Sequence, residues 1–407
     1  MNLDSPKVVL FTANVYGSFV KSEIEWLIKE NQQYGIVTSI SNPEADAYPG
    51  TIKTADSYSL QARIGHVLKR FFPLASIFLY DTFSKGTSSA YLFRGRRHFS
   101  LLLKCSMIAD ALFQDHSMRN ARCYTFFAND YALALAMAAE RGYISSYSTR
   151  VHGRDVIEER EPKTRKLPFQ WFKYEYTDLV YCVSVATKQY ITRKYPRFAT
   201  KIKVEYLGSQ DHGMGPTEPV DLPYHIVSVG RVRNVKRFYL IAEMLQHIDL
   251  PVKWSHFGDI QENDPTSKRY KEAISALDSK PNIEVLQRGY VENAKLLQTY
   301  KSHHVDLLIN SSEIEGLPVS IQEAISFGIP CLATDVGGTA DIVNEQTGIL
   351  VDATFDPLVV SQSVTRTLVE KCRDKAYRQG VRAFWEEHFD ASKNYPAFFE
   401  RMTRSPN

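Results

Sequence analysis

The chain has 407 residues, a formal net charge of +3, and ordinary fractions of hydrophobic (44%) and charged (23%) residues. That length suits two α/β domains with ample buried core, and the composition is that of a globular protein. No stretch approaches the roughly 20 apolar residues of a membrane-spanning helix, and the start MNLDSPKVVLFTANVYG lacks the basic region of a signal peptide. The five cysteines are odd in number and lack C-x-x-C spacing, so they read as reduced core residues of a cytosolic protein.

In chain order, Val8 to Thr12 is a strand pattern, and residues 14–18 form the loop after it. Phe19 to Gln33 is helical, with Ser18 as N-cap and Gly35 as stop. From Leu60 to Lys104 eight Lys and Arg residues face one carboxylate, Asp81, and eight Phe and Tyr residues are interleaved. Such a segment suits an anionic membrane surface. A solvated basic face over ordinary core aromatics is the alternative, and with no nucleic-acid-binding motif a nucleic acid partner is not expected. Cys123 to Ala128 is a strand, Tyr131 to Arg141 a helix, and Tyr147 to Val151 a strand that delivers His152-Gly153-Arg154-Asp155 at its carboxyl end, where an α/β sheet binds ligands. Leu179 to Val183, Ala186 to Lys194 and Lys203 to Leu207 complete a first domain. Gly208 to Pro223, rich in glycine and proline, reads as a linker.

A second domain opens with the strand Ile226 to Val229, the turn Gly230-Arg231, and a helix from Val235 to Ile248 with Lys236 in its first turn. A cation there opposes the helix dipole unless an anion lies nearby. Val252 to Phe257, Ile283 to Leu286 and Val305 to Ile309 follow as strands. Pro318 stands as the first residue of a short helix that Gly328 stops, and Ile329 to Ala333 is the next strand. Glu315 precedes that helix and Glu323 lies within it, seven residues between them, with no Lys or Arg from Ser302 to Thr365. A carboxylate on a mostly buried helix needs compensation, which sugar or ribose hydroxyls would supply. The alternative has Glu323 on a solvated edge and Glu315 favouring the helix dipole. Arg231 and Lys236 are candidate cations for a phosphate, with backbone donors at the start of the Pro318 helix; the alternative is two surface cations. No D-x-D motif or metal-ligand spacing occurs, so neither metal nor cofactor is expected.

The runs EGLPVSIQEA, SFGIP, ATDVGGT and GILV carry a resemblance, as do Val229-Gly230-Arg231 with Lys236 and Val151-His152-Gly153 with Asp155. Together they resemble family 4 retaining glycosyltransferases of the GT-B fold. The resemblance implies an α/β chain of two Rossmann-like domains facing a central cleft. Residues 1–215 would be the acceptor side and 222–384 the nucleotide-sugar domain, with a helix from about 385 crossing back. It implies that Glu315 holds sugar hydroxyls and Glu323 the ribose diol. Gly289 and Tyr290 would hold the nucleobase, and Gly316, Leu317 and Pro318 would join Arg231 and Lys236 on the diphosphate. Gly17 would be a backbone contact to that diphosphate, unless it is a plain turn glycine. His152 would lie beside the donor sugar and Asp155 on the acceptor side. The activity implied is metal-independent sugar transfer of the hexosyltransferase type. The donor would be a nucleotide sugar and the acceptor a glycan or lipid-linked acceptor of a bacterial surface polysaccharide, at the inner face of the cell membrane. A nucleotide-sugar epimerase or hydrolase, or a non-catalytic binding subunit, are the other readings; the intact pairs Glu315/Glu323 and Arg231/Lys236 argue against the last.

Overall fold

The computed structural model describes residues 8–12, 18–30, 34–39, 48, 51–55, 57–84, 95–113, 120–153, 155–157, 167–218 and 220–403. Gly17 lies outside the described residues. The chain divides into two units, Met1–Glu205 with Tyr395–Asn407, and Tyr206–Asn394.

The first unit holds a seven-stranded parallel sheet built from β1 (Val8–Phe11), β2 (Tyr34–Ser39), β3 (Thr51–Thr54), β4 (Arg122–Thr125), β5 (Tyr147–Val151), β6 (Thr177–Cys182) and β7 (Ile202–Val204). Its order is β3-β2-β1-β4-β5-β6-β7. The central strand β1, VVLF, is buried at all four positions, as expected for a parallel strand covered on both faces. β2 was not read in the sequence. Gly35, expected to stop the preceding helix, pairs with Val9 inside β2 instead, and the helix ends earlier at Glu30. The buried Ile36 and Val37 beside it account for the strand.

The second unit holds a six-stranded parallel sheet of β8 (Tyr224–Val229), β9 (Val252–Phe257), β10 (Ile283–Gln287), β11 (Leu307–Asn310), β12 (Cys331–Thr334) and β13 (Gly348–Val351), in the order β10-β9-β8-β11-β12-β13. Strand order therefore reverses between β1 and β4 in one unit and between β8 and β11 in the other. In open α/β sheets these reversals are where ligands bind.

Residues 206–218 and 220–223, most of them read as linker, pack into the second unit. The Ser209 N–H donates to Phe389 O (3.0 Å) and Gly215 N–H to Phe327 O (3.1 Å). A Cβ on Gly208 would fall 2.4 Å from the Ala391 backbone, so only glycine allows that approach. The chain returns to the first unit at Tyr395. There Tyr395 stacks on Trp26, and Phe398 meets Tyr124 and Tyr181 and lies 4.3 Å under the Arg150 guanidinium.

The pairing of β8 with β11 is locked at its start by Asp306. Its carboxylate accepts His225 N–H (2.7 Å) and two bonds from Arg373 (2.8 and 3.3 Å), and its own N–H donates to His225 O (2.8 Å). Burial alone would raise this carboxyl. The donors from His304, Arg373 and His225 outweigh burial and hold it below its ordinary 3.8. A depressed carboxyl contributes stability that is present above the unfolded value and lost as pH falls through the folded one. Arg373→Ala is therefore expected to destabilise the second unit by about 3 kcal/mol at neutral pH, since it strands a buried carboxylate. The difference from wild type should shrink as pH is lowered below about 4 and Asp306 protonates. Urea unfolding at several pH values measures both.

Candidate functional site

The second unit brings Arg231, Lys236, Glu315, Gly289 and Tyr290 onto loops at the carboxyl ends of β8, β10 and β11. The loops after β8 and β10 are laced by backbone to the end of β9 and the loop that follows it. Gly230 N–H donates to Phe257 O (2.9 Å), Val232 N–H to Asp259 O (2.8 Å) and Gly258 N–H to Gly289 O (2.8 Å). Gly258, at φ +157°, crosses so closely that a Cβ there would sit 2.0 Å from Gly230 O. The lacing frames a cavity of about 350 Å3 whose lining includes Gly230, Arg231, Lys236, Asp259 and Tyr290. Arg231 is exposed on it, in no ion pair among the described residues. Asp259 accepts the Tyr290 N–H (2.7 Å), so that donor is already engaged, while the Tyr290 side chain is exposed.

Lys236 Nζ lies 2.6 Å from Glu315 Oε1, and both side chains are largely shielded from solvent. Asn310 Nδ2 donates to the same oxygen at 3.1 Å. Burial would raise the Glu315 carboxyl. The Lys236 charge and the donors from Lys236, Ser312 and Asn310 outweigh it and hold the group below the usual carboxylate range. The missing local cation of the Ser302–Thr365 stretch is thus supplied from 79 residues away.

The expected helix over Val235–Ile248 is replaced by a 3-10 turn at Asn234–Lys236 and a helix over Tyr239–Leu245. The break is at Arg237, which takes left-handed geometry (φ +48°). Its guanidinium donates to three carbonyls, Ser311 O (2.9 Å), Ser312 O (3.0 Å) and Ala353 O (2.7 Å). Ser311 Oγ in turn donates to Lys236 O (3.0 Å), and Glu313 N–H to Val235 O (2.8 Å). Arg237 therefore clamps the loop carrying Lys236 to the loop carrying Glu315. Sequence reading passed over it; an Arg beside a candidate Lys carries no local sign of its carbonyl partners.

Pro318 is the N-cap rather than the first helical residue of Val319–Ser326, with ψ 116°. Gly316 O accepts the Gly338 N–H (2.7 Å), and Leu317 packs on the core beneath. Gly328 takes the left-handed stop (φ +71°) as its position implies. Glu323 bonds Asn293 Nδ2 (2.9 Å), and burial, partly offset by that bond, raises its carboxyl.

His152 and Asp155 belong to the first unit. The His152 ring packs against Phe126 and Phe127, each centroid 4.6 Å away, and both ring nitrogens are sealed with no hydrogen-bond partner among the described residues. Burial, helped by the charge of Arg150, lowers its pKa well below the ordinary value, so the imidazole is neutral at pH 7. Asp155 accepts Ala128 N–H (2.9 Å) on one oxygen and His152 N–H (2.8 Å) on the other. It ties the loop after β4 to the loop after β5 and lines a cavity of about 430 Å3 with Arg97, His98, Asn129 and Lys173.

The clamp generates a prediction. Arg237→Gly keeps the left-handed backbone accessible but removes the guanidinium, and is expected to cost about 2–3 kcal/mol of stability, as for lost charged hydrogen bonds. Arg237→Ala should cost more, because alanine retains the left-handed backbone strain that glycine relieves. Thermal and urea unfolding of the two variants measure the order.

Residues 217–383 match the family described as Glycosyl transferases group 1. The O-antigen biosynthesis glycosyltransferase WbnH of Escherichia coli is 28% identical over 223 residues, covering 54% of this chain and 59% of that protein. The chain thus matches under two thirds of that relative's length. A GDP-mannose-dependent alpha-mannosyltransferase of Mycolicibacterium smegmatis is 31% identical over 86 residues, 21% of this chain and 22% of that protein. Among solved structures, Anabaena Alr3699/HepE in complex with UDP superposes with TM-score 0.70 at 12% identity, covering 97% of this chain and 99% of that one. The lipopolysaccharide outer core galactosyltransferase WaaB gives TM-score 0.68 at 14% identity over 98% of both chains. At these identities the structures establish the fold. Residues 217–383 thus match the glycosyl transferases group 1 family, in a chain whose two parallel-sheet units have the GT-B fold.

Proposed function

We propose that the chain is a retaining, metal-independent glycosyltransferase of the hexosyltransferase type. It moves a sugar from a nucleotide diphosphate donor to a glycan or lipid-linked acceptor in bacterial surface polysaccharide synthesis, on the cytoplasmic side of the membrane. The observation that carries this reading is the Lys236–Glu315 pair at the strand-order reversal of the second unit, beside the cavity that Arg231 lines. The O-antigen glycosyltransferase and the mannosyltransferase among the relatives, and the UDP in the Anabaena structure, support a nucleotide-sugar donor and a surface-glycan product.

Breaking the bond between the anomeric carbon and the diphosphate builds negative charge on the leaving phosphate. Arg231 and Lys236 would neutralise it as fixed cations, joined by the unpaired N–H groups at the start of helix Val319–Ser326. In the free protein Glu315 holds Lys236 in place. With donor bound, the phosphate would take over the ammonium, and Glu315 would turn its oxygens to the sugar hydroxyls. Glu323 would accept the ribose diol, as its bond to the Asn293 amide accepts a donor now. The acceptor would enter on the side of Asp155. The departing phosphate would take the acceptor's proton, and neither glutamate is assigned as nucleophile.

Glu323→Ala is expected to weaken the bare nucleoside diphosphate by about 1.5–3 kcal/mol, for a charged hydrogen bond lost. Glu315→Gln should leave that affinity nearly intact and lower turnover. Titrating each variant with nucleotide and with full donor separates the roles, and equal effects on both ligands would refute the division. Sugar transfer should survive thorough chelation, whereas Lys236→Ala or Arg231→Ala should nearly abolish it. Activity lost on chelation and restored by magnesium or manganese would overturn the assignment of the cations. Free sugar in place of a transferred one would favour the hydrolase reading.

A further inference from the structure

In the first unit the helix Leu60–Ser84 bends at Arg70, whose backbone leaves helical geometry (φ −121°, ψ 18°), with Pro73 just beyond. Its cations do not form the outward basic stripe that composition suggested. Arg63 donates to Ser100 Oγ (3.1 Å), and Arg70 donates to Asp110 (3.2 Å) and to Tyr143 OH (2.9 Å). The helix's one acid, Asp81, is buried and accepts the Phe169 N–H (3.1 Å). Of the helix's charged groups all but Lys69 have turned inward.

Large apolar side chains are left outside. Leu60, Ile64 and Leu68 recur every fourth residue on the first arm, Phe71 and Phe72 stand at the bend, and Leu79 and Phe83 repeat the spacing on the second arm. Leu68 is 77% and Phe72 82% exposed, values that a helix covering its own core does not show at so many successive turns. Three cations accompany this edge. Lys69 is exposed beside the bend, and Arg96 and Arg97 are exposed at the start of helix Gly95–Phe113. That start lies against the second arm, since Phe99 meets Phe78 edge-on at 5.7 Å. Over residues 60–84 and 95–104 no exposed acid is found among the described residues.

We propose that the bent helix Leu60–Ser84 inserts its apolar edge into the anionic surface of a lipid bilayer, with Lys69, Arg96 and Arg97 at the headgroups. Charge selects this occupant. A second copy of the same surface would set these cations against their own kind with no acid to pair them, whereas an anionic bilayer offers both an apolar layer and counter-charge. The surface belongs to the first unit alone, so the inference stands apart from the choice of donor or sugar. It also differs from attachment by charge, because the apolar edge holds in salt that screens the cations.

Co-sedimentation of the full chain with vesicles of phosphatidylglycerol and phosphatidylcholine, or of phosphatidylcholine alone, tests it. Wild type is expected to bind the anionic vesicles and to stay largely bound at about 0.5 M salt, where the screening length is only a few Å. Leu68→Ser with Phe72→Ser should weaken binding at least about tenfold at every salt concentration, since two exposed apolar groups are removed. Lys69→Gln with Arg97→Gln should weaken binding at low salt only. A Phe72→Cys variant gives a second readout. The five native cysteines are all buried, so an environment-sensitive dye would report position 72 alone and should shift to the blue with anionic vesicles. Wild type remaining in the supernatant overturns the proposal, as does complete release by salt, an unshifted dye, or a dimer that the Leu68/Phe72 substitutions dissociate.

Discussion

The second unit is arranged around one ion pair made across the reversal of its strand order. Lys236 follows β8 and Glu315 follows β11, adjacent strands whose helices leave toward opposite faces of the sheet. A lysine and a glutamate on two mobile loops would contribute little. Here the loops are not free. Arg237 forks onto Ser311, Ser312 and Ala353, Ser311 returns a bond to Lys236, and Gly230 and Gly258 let the neighbouring loops cross at backbone distance. The pair is therefore held in place before any ligand arrives, which is what a site that stabilises developing charge requires.

Much of this site was legible in the sequence because its parts are local. A glycine after an apolar strand, a proline before a short apolar helix and a glycine closing it have meanings set by backbone sterics, and Gly230 and Gly328 behave accordingly. Glu315 and Lys236 were also legible as unusual, one a carboxylate without a nearby cation and the other a cation at an unfavourable helix start. That each answers the other was not legible, since 79 residues separate them. Arg237 was invisible for the same reason: its left-handed backbone is maintained by carbonyls from the loops after β11 and β13. Local rules also erred where tertiary pairing overrode them, as at Gly35, which β1 recruits into a strand.

The stretch from Leu60 to Lys104 shows the limit most clearly. Composition reported cations and aromatics together but could not say which faced outward. The answer lies in Asp110 and Tyr143, on other elements, which draw Arg70 inward beside Arg141. The same logic recurs in the core of that unit, where Arg150, with Glu23, Tyr124 and the Glu205 carbonyl as partners, lies over Phe398 of the returning helix. Buried charge is tolerated where partners from several elements converge on it. At Asp110, Arg150 and Asp306 that convergence fixes which helix or strand goes where, while under the proposed function the reacting chemistry would fall to Arg231, Lys236 and the glutamates.

A double-mutant cycle on Lys236 and Glu315, read by calorimetric titration of uridine and guanosine diphosphates, tests the central claim most directly. If Lys236 is held by Glu315 in the free protein and released to the diphosphate, Lys236→Met should weaken whichever nucleotide binds by at least about tenfold, the worth of a charged hydrogen bond. Glu315→Gln should leave that affinity unchanged or improve it in the Lys236 background, and should have no effect once Lys236 is methionine. Wild-type affinity in Lys236→Met, or equal losses from both substitutions that simply add, would contradict the account.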